Sequence, residues 1–325
     1  MNILKRFTTL FHPERFQGWG KARRYFEGWY FKVVNADGSR AFAFIPGIAM
    51  DANGHQQSFI QVLDGTHKRA DYHRFPIEAF SSVHHDFRVQ IHENYFHARG
   101  LQLNLEQVKG ALTFSGNAPW PKKLYSPGIM GPFSFVPFME CYHGIVSMDH
   151  SISGTLEISG EHIDMNGGRG YIEKDWGRSF PSAYVWMQSN HFSTSGTSLK
   201  CSVARIPWLS SSFVGFIAGL WWEGRLIRFT TYNGTRLHTC RINERAVRIE
   251  LEGKEYRLII EALRTTSTSL ASPIQGLMDG RIEESMTAQL HIQLVEKKTG
   301  AVILDDTGVH AGLEVAGTIE HIITP

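Results

Sequence analysis

Apolar and polar residues alternate with a two-residue period along much of the chain. In residues 154–160 (GTLEISG), Leu156 and Ile158 share one side and Glu157 and Ser159 the other. The stretch AVRIELEG puts Val247, Ile249 and Leu251 on one side; AQLHIQLVEK puts Leu290, Ile292 and Leu294 on one side and His291, Gln293 and Val295 on the other. This is the pattern of half-buried strands. Turn-forming stretches at NADG (35–38), DANG (51–54), YNGT (232–235), EG (252–253) and KKTG (297–300) cut the chain into short β-prone runs, and capped helical stripes are scarce. The pattern predicts a mostly-β chain of hairpins, with the turn spacing of sandwiches or barrels. The polar, glycine-containing stretch around residues 190–200 (SNHFSTSGTS) is either a domain boundary or a long hairpin loop. As a boundary it divides the chain into β-domains 1–190 and 191–325.

Composition narrows the function classes. The 33 Lys and Arg nearly balance 31 Asp and Glu, so nothing in the charge points to nucleic acid. Three scattered cysteines, Cys141, Cys201 and Cys240, without a CxxC pair, predict reduced thiols in a cytoplasmic protein. The 21 Phe, 10 Tyr and 8 Trp hint at a ligand pocket. No apolar run reaches the roughly 18 residues of a membrane span; FVGFIAGLWW (213–222) is too short. The N-terminus lacks the apolar core and cleavage site of a secretion signal. On a helix, its Ile3, Leu4, Phe7, Leu10 and Phe11 share one face. That face either docks on the protein's own core or makes a peripheral membrane contact.

Most local motifs are absent. The histidine-rich patch VHHDFRVQIHENYFH (83–97) splits between two faces if extended, with His85 and His97 opposite His84 and His92, and no metal-ligand spacing occurs. No metal is therefore expected. GxSxG is missing, and GGRG (167–170) reads as a bulge or hairpin turn. Two segments carry candidate chemistry. In RRYFEGWYFKV (23–33), Glu27 stands beside Trp29 and Tyr30. A buried carboxylate there needs a partner, with Arg23, Arg24 and Lys32 as candidates. In YIEKDWGRSFPSAYVWMQSN (171–190), Glu173 and Asp175 fall on one face of a strand and Lys174 on the other. Two such carboxylates, next to Trp176, would favour a raised pKa and general-acid work. Downstream, Trp186, Gln188 and Asn190 share a face suited to a polar head group on an aromatic wall. The alternatives are a strand-edge ion pair for Glu27 and backbone-satisfying core polar groups for the rest.

On these residues the chain resembles the tocopherol cyclase family. HPERFQGWGKARRYFEGWYFKV is similar to the family's opening signature with its FEGWYFRV run. YIEKDWGRSFPSAYVWMQSN resembles YSEKNWGxxFPxxWxWxQxN, AVILDDTGVHAGLEVAG (301–317) resembles the C-terminal element, and EALRTT (261–266) a run before it. The matches keep their order from about residue 12 to residue 317. Glu27, Trp29 and Tyr30 fall on the first motif, and Glu173, Lys174, Trp176, Gly177, Phe180, Pro181, Trp186, Gln188 and Asn190 on the second. Departures are Asp175 where Asn is usual, Tyr184 where Trp stands, and His310 within DDTGVH.

The resemblance implies two lipocalin-like antiparallel β-domains, akin to carotenoid hydratases of the hydroxyneurosporene synthase type. It also implies closure of a chromanol ring on a prenylated quinol, by addition of a phenol oxygen to a prenyl double bond, with no cofactor. Such chemistry needs an acid in a dry pocket and aromatic faces for a carbocation. Glu173 is the expected acid, with Asp175 raising its pKa. Glu27, Gln188 and Asn190 are expected to hold the head group, and Trp29, Tyr30, Trp176 and Trp186 to line the pocket. A non-catalytic isoprenoid or lipid carrier, and an acid-catalysed hydratase or cyclase of another isoprenoid, are the competing expectations.

Overall fold

A computed structural model describes residues 9–323. Antiparallel strands dominate it. The first sheet contains β1 (Tyr25–Val34), β2 (Ala41–Met50), β3 (Gln56–Asp64), β4 (Arg69–Pro76), β5 (Phe80–Ser82), β6 (Arg88–Ile91), β7 (Asn94–His97), β8 (Gly100–Asn104), β9 (Val108–Ser115), β10 (Cys141–Ile158), β11 (Glu161–Asp164) and β12 (Gly168–Gly177). The second contains β13 (Ala183–Ser189), β14 (Ser198–Trp208), β15 (Ser211–Trp222), β16 (Arg225–Thr230), β17 (Arg236–Ile242), β18 (Ala246–Glu252), β19 (Tyr256–Leu263), β20 (Thr268–Ile274), β21 (Leu277–Glu296) and β22 (Val302–Gly317). All five turn stretches read from the sequence connect consecutive strands. The alternating runs bury the expected sides: Val247, Ile249, Leu251, Leu290, Ile292 and Leu294 are all fully buried.

Hydrogen bonding orders the first sheet β4-β3-β2-β1-β12-β10-β9-β8-β7-β6-β5 and the second β16-β15-β14-β13-β22-β21-β19-β18-β17, with β11 on β10 and β20 on β21. Each path has two ends, so of barrel and sandwich the open arrangement is the one formed. In the first sheet Phe31 of β1 meets Phe96 of β7 at 5.5 Å and Phe114 of β9 at 6.3 Å between ring centroids. Strands remote in the hydrogen-bonded order thus close over one apolar core.

The chain divides into two compact units, residues 1–180 with 271–281, and residues 181–270 with 282–325. The first division falls ten residues before the 190/191 boundary read from the sequence, and SNHFSTSGTS forms the β13–β14 hairpin loop. The sequence also gives no sign that 271–281 belongs with the first unit. Within that unit, Gln61 exchanges hydrogen bonds with the Ala271 backbone at 3.1 and 3.0 Å. Gly276 (φ +87°) sits so close to the backbone of Met50 and Tyr25 that a side chain there would collide.

His150 on β10 is almost wholly buried against the Phe114 ring, its centroid 4.4 Å away, and its Nε2 makes no hydrogen bond. Burial, with Arg169 nearby, pulls its pKa down from 6.5 to about 3. The unfolded chain therefore takes up this proton first as pH falls. The stabilisation is full above pH 6.5 and is lost as pH drops toward 3. Between pH 6.5 and 4.5 this one group should cost about 2–3 kcal/mol. Urea titrations at both pH values check it: His150→Asn should be less acid-sensitive than the parent, and equal sensitivity would exclude this origin.

Candidate functional site

The site is built on three neighbouring strands, β1, β12 and β10. Cross-strand partners share a face of a sheet. Glu27 pairs with Trp176 and Trp29 with Lys174, whereas Gly28 pairs with Asp175 and Tyr30 with Glu173. On the other side of β12, His143 pairs with Asp175 and Ile145 with Glu173. Glu27, Trp29, Lys174 and Trp176 therefore occupy one face, and Tyr30, Glu173, Asp175 and His143 the other. Glu173 and Asp175 do share a face, with Lys174 opposite, as their spacing requires. Glu27 stands on the side away from them.

On its own face Glu27 is fully buried and paired with Lys174 Nζ at 2.5 Å. The partner is thus neither Arg23, Arg24 nor Lys32, because only Lys174 projects from the adjacent strand into the same layer. Glu27 also accepts from Gln17 N–H at 2.8 Å and Tyr25 Oη–H at 2.6 Å. Lys174 donates to the carbonyls of Pro13, at 2.9 Å, and Arg15. Its ammonium lies 4.8 Å from the Trp29 ring centroid and 4.7 Å from that of Trp176. Trp29 Nε1 donates to Glu14 O at 2.8 Å. Burial drives each member of the pair toward its neutral form, Glu27 upward and Lys174 downward, and their mutual attraction opposes this. The face is a clamp on the segment 13–17, and the cation that Trp29 and Trp176 carry is Lys174.

The opposite face holds an acid–base array. His143 Nδ1 lies 2.7 Å from Asp175 Oδ1, and its Nε2 3.4 Å from Glu173 Oε2. Tyr171 Oη–H donates to Glu173 Oε2 at 2.5 Å. Burial, reinforced by the Glu173 charge, pushes the Tyr171 phenol well above its ordinary range, so it stays a donor. Cys141 Sγ lies 3.9 Å from Asp175 Oδ1. Burial and the Asp175 charge push its thiol far up, which removes it as a nucleophile. With Nδ1–H held by Asp175, Nε2 is the nitrogen turned toward Glu173. Nε2 makes no formed hydrogen bond; a small ring rotation would bring it within proton-transfer reach. Glu173 is 4 % exposed.

His143, Glu173 and Asp175 also place their donor atoms within 4.8 Å of one another, close enough for a metal ion. This group joins residues of two strands and has no ligand spacing in the sequence. The histidine patch of residues 83–97 is not extended throughout: it forms the β6–β7 hairpin, with His92 at its turn. His143 was not legible as a site residue, because only the β10–β12 register brings it to the acids. The one available signal was its place in the alternation from Cys141 to Ile145.

The remaining candidates lie in the second unit. Trp186 and Gln188 share the face of β13 opposite Val185 and Met187, which enter that unit's apolar core, and Asn190 follows the end of the strand. All three are buried. Register places Ser202 and Glu314 beside Trp186, and Lys200 and Gly312 beside Gln188. Gln188 Nε2 donates to Asn190 Oδ1 at 3.5 Å, and Tyr184 Oη–H to Glu314 Oε2 at 2.8 Å. Lys200 and Glu284 are buried polar residues of this unit that sequence reasoning did not single out.

In the first unit, His143 also lines a cavity of about 630 Å³ with Tyr25, Tyr142 and Trp176. Fold and site together describe an antiparallel β protein with a His143, Glu173 and Asp175 cluster beside an aromatic cavity. A family described as tocopherol cyclase-like matches residues 76–317, more than half of the chain, and the chain belongs to that family. The chloroplastic tocopherol cyclase of Zea mays is 29 % identical over 208 residues, covering 60 % of this chain and 43 % of the maize protein. The matched region thus spans less than half of that relative's length. Among solved structures, CghA is similar with a TM-score of 0.58 over 91 % of this chain and 89 % of its own, at 11 % identity. Kievitone hydratase from Nectria haematococca gives 0.50 over 90 % and 88 %, at 10 % identity. At such identities the likeness is one of fold.

Proposed function

We propose that the protein is an acid-catalysed cyclase of a prenylated quinol, closing a chromanol-type ring. The observation that carries this reading is the Asp175–His143–Glu173 array, in which Glu173 is buried and His143 and Asp175 are half-buried, beside two tyrosines and reaching a cavity wall through His143. A proton from Glu173 passes through His143 to the prenyl double bond and leaves a tertiary cation. The phenol oxygen closes on that cation, and its proton returns to the array through His143. Bonds and protons balance without a redox partner, so the product is an isomer of the substrate. Tyr30, the cross-strand partner of Glu173, and Tyr171, two residues before it, are the aromatic groups on the face of the acid. Membership of the tocopherol cyclase-like family supports the reaction class.

Incubation with a prenylated benzoquinol, followed by mass analysis, tests this. A product of unchanged mass with a new retention time is expected. A product heavier by one water would make the protein a hydratase, and saturable binding without any product a carrier. Asp175 orients His143 and does not meet substrate. Asp175→Asn keeps an acceptor oxygen for Nδ1–H and should hold turnover within about tenfold of the parent, whereas Asp175→Leu should lower it about 100-fold. Equal rates for the two variants would remove Asp175 from the array.

A further inference from the structure

The rim of the 630 Å³ cavity has a composition that ring closure on a neutral quinol does not require. Lys21, Arg23, Arg24 and Arg178 line it, and among the described residues no Asp or Glu does. All four are exposed. Among the described residues none of them forms an ion pair. Lys21 lies 5.7 Å from the Tyr25 ring centroid, and Arg178 lies near Glu140, where its charge opposes the rise in pKa that burial causes. In a chain of nearly balanced charge this is a concentrated positive edge.

The same rim carries Phe135 and Phe138, 40 % and 46 % exposed. The chain leading into Gly128, another lining residue, makes the Lys123–Ser126 turn, whose tip exposes Leu124 at 84 % and Tyr125 at 65 %. Phe11 packs edge-on to Phe135 at 6.3 Å, and Leu10 lines the cavity, so the described part of the N-terminal apolar face joins this rim. The rest of that face, Ile3, Leu4 and Phe7, lies outside the described residues. Exposed aromatic and aliphatic side chains cost free energy in water. Interleaved with unpaired cations, they match the boundary between phosphate headgroups and acyl chains.

We propose that this rim is a docking surface for an anionic phospholipid bilayer. Phe135 and Phe138 enter the acyl boundary, and Lys21, Arg23, Arg24 and Arg178 meet lipid phosphates. A site for a small soluble anion would draw cations inward and bury them; these four stay outside, around aromatic groups an anion does not need. One consequence rests on the isoprenoid reading: an apolar substrate could pass from bilayer to cavity without crossing water. The docking itself does not depend on it.

Co-sedimentation of the full chain with vesicles tests the surface. Vesicles of phosphatidylcholine mixed with phosphatidylglycerol should bind at least about tenfold more tightly than phosphatidylcholine alone, and salt should release the protein. Two double variants, Arg23→Glu with Arg24→Glu, and Phe135→Ser with Phe138→Ser, should each weaken binding about tenfold or more with the circular dichroism spectrum and melting temperature preserved. Leu124→Ser with Tyr125→Ser, at the turn tip outside the cavity lining, should weaken binding and keep the parent's turnover of detergent-dispersed quinol, which separates failure of docking from failure of the cyclase reading. Absence of vesicle binding overturns the proposal. So does parent-like binding of all three variants, or displacement by inorganic phosphate beyond that by chloride at equal ionic strength, which would mark a soluble-anion site.

Discussion

Glu173→Gln is expected to lower turnover of a prenylated quinol by about 100-fold or more, with folding unchanged. Glutamine keeps the shape and an acceptor oxygen for Tyr171, whose hydroxyl donates at 2.5 Å. It removes the one proton that can be given up and taken back. The burial of Glu173 also makes the result readable, since no bulk water stands ready to replace the lost acid. Steady-state turnover, thermal melting and quinol binding should be measured on one preparation. Loss of turnover with retained binding supports Glu173 as proton donor. Parent-like turnover removes it from the mechanism. If His143→Gln alone is inactive, the proton comes from the imidazole at the cavity wall.

The second large effect concerns stability. Lys174→Met leaves the Glu27 carboxylate fully buried without its cation and strips the Pro13 and Arg15 carbonyls of their donor. Breaking a buried pair in this way costs about 3–5 kcal/mol, or roughly 10 °C in the melting temperature of a unit this size. Adding Glu27→Leu should restore part of the loss, because an apolar pair leaves no stranded charge. Recovery should be incomplete, since Gln17 N–H and Tyr25 Oη–H lose their acceptor. Below its melting temperature, Lys174→Met should still turn over substrate. A stable but inactive variant would instead place the Glu27–Lys174 face in the chemistry.

These two experiments separate residues that stand only one or two positions apart in the sequence. Glu173, Lys174 and Asp175 are consecutive in alternation, and strand geometry alone dictates that the outer two face one way and the middle one the other. That much was legible. The identity of each partner was not. The aromatic surroundings of Glu27 and Glu173 look alike in the chain, yet one carboxylate clamps the 13–17 segment and the other joins an acid–base array. The difference is a parity relation across the β1–β12 ladder, in which Glu27 faces Trp176 and Tyr30 faces Glu173. The Trp29 and Trp176 rings, read as a home for a transient carbocation, bear on the Lys174 amine because Lys174 shares their layer.

Alternation and turn chemistry are local properties, written within a few residues, and they determined the β class, the hairpins and the sides that Val247 or Leu290 bury. The two-residue period also determined that Glu173 and Asp175 stand on one face. Tertiary structure alone decided that 271–281 belongs to the first unit, that Lys174 neutralises Glu27, and that His143 stands between the two acids. Each of these depends on contacts between segments 32 to 210 residues apart. A register shift of one residue would turn His143 to the other face without changing a single local preference.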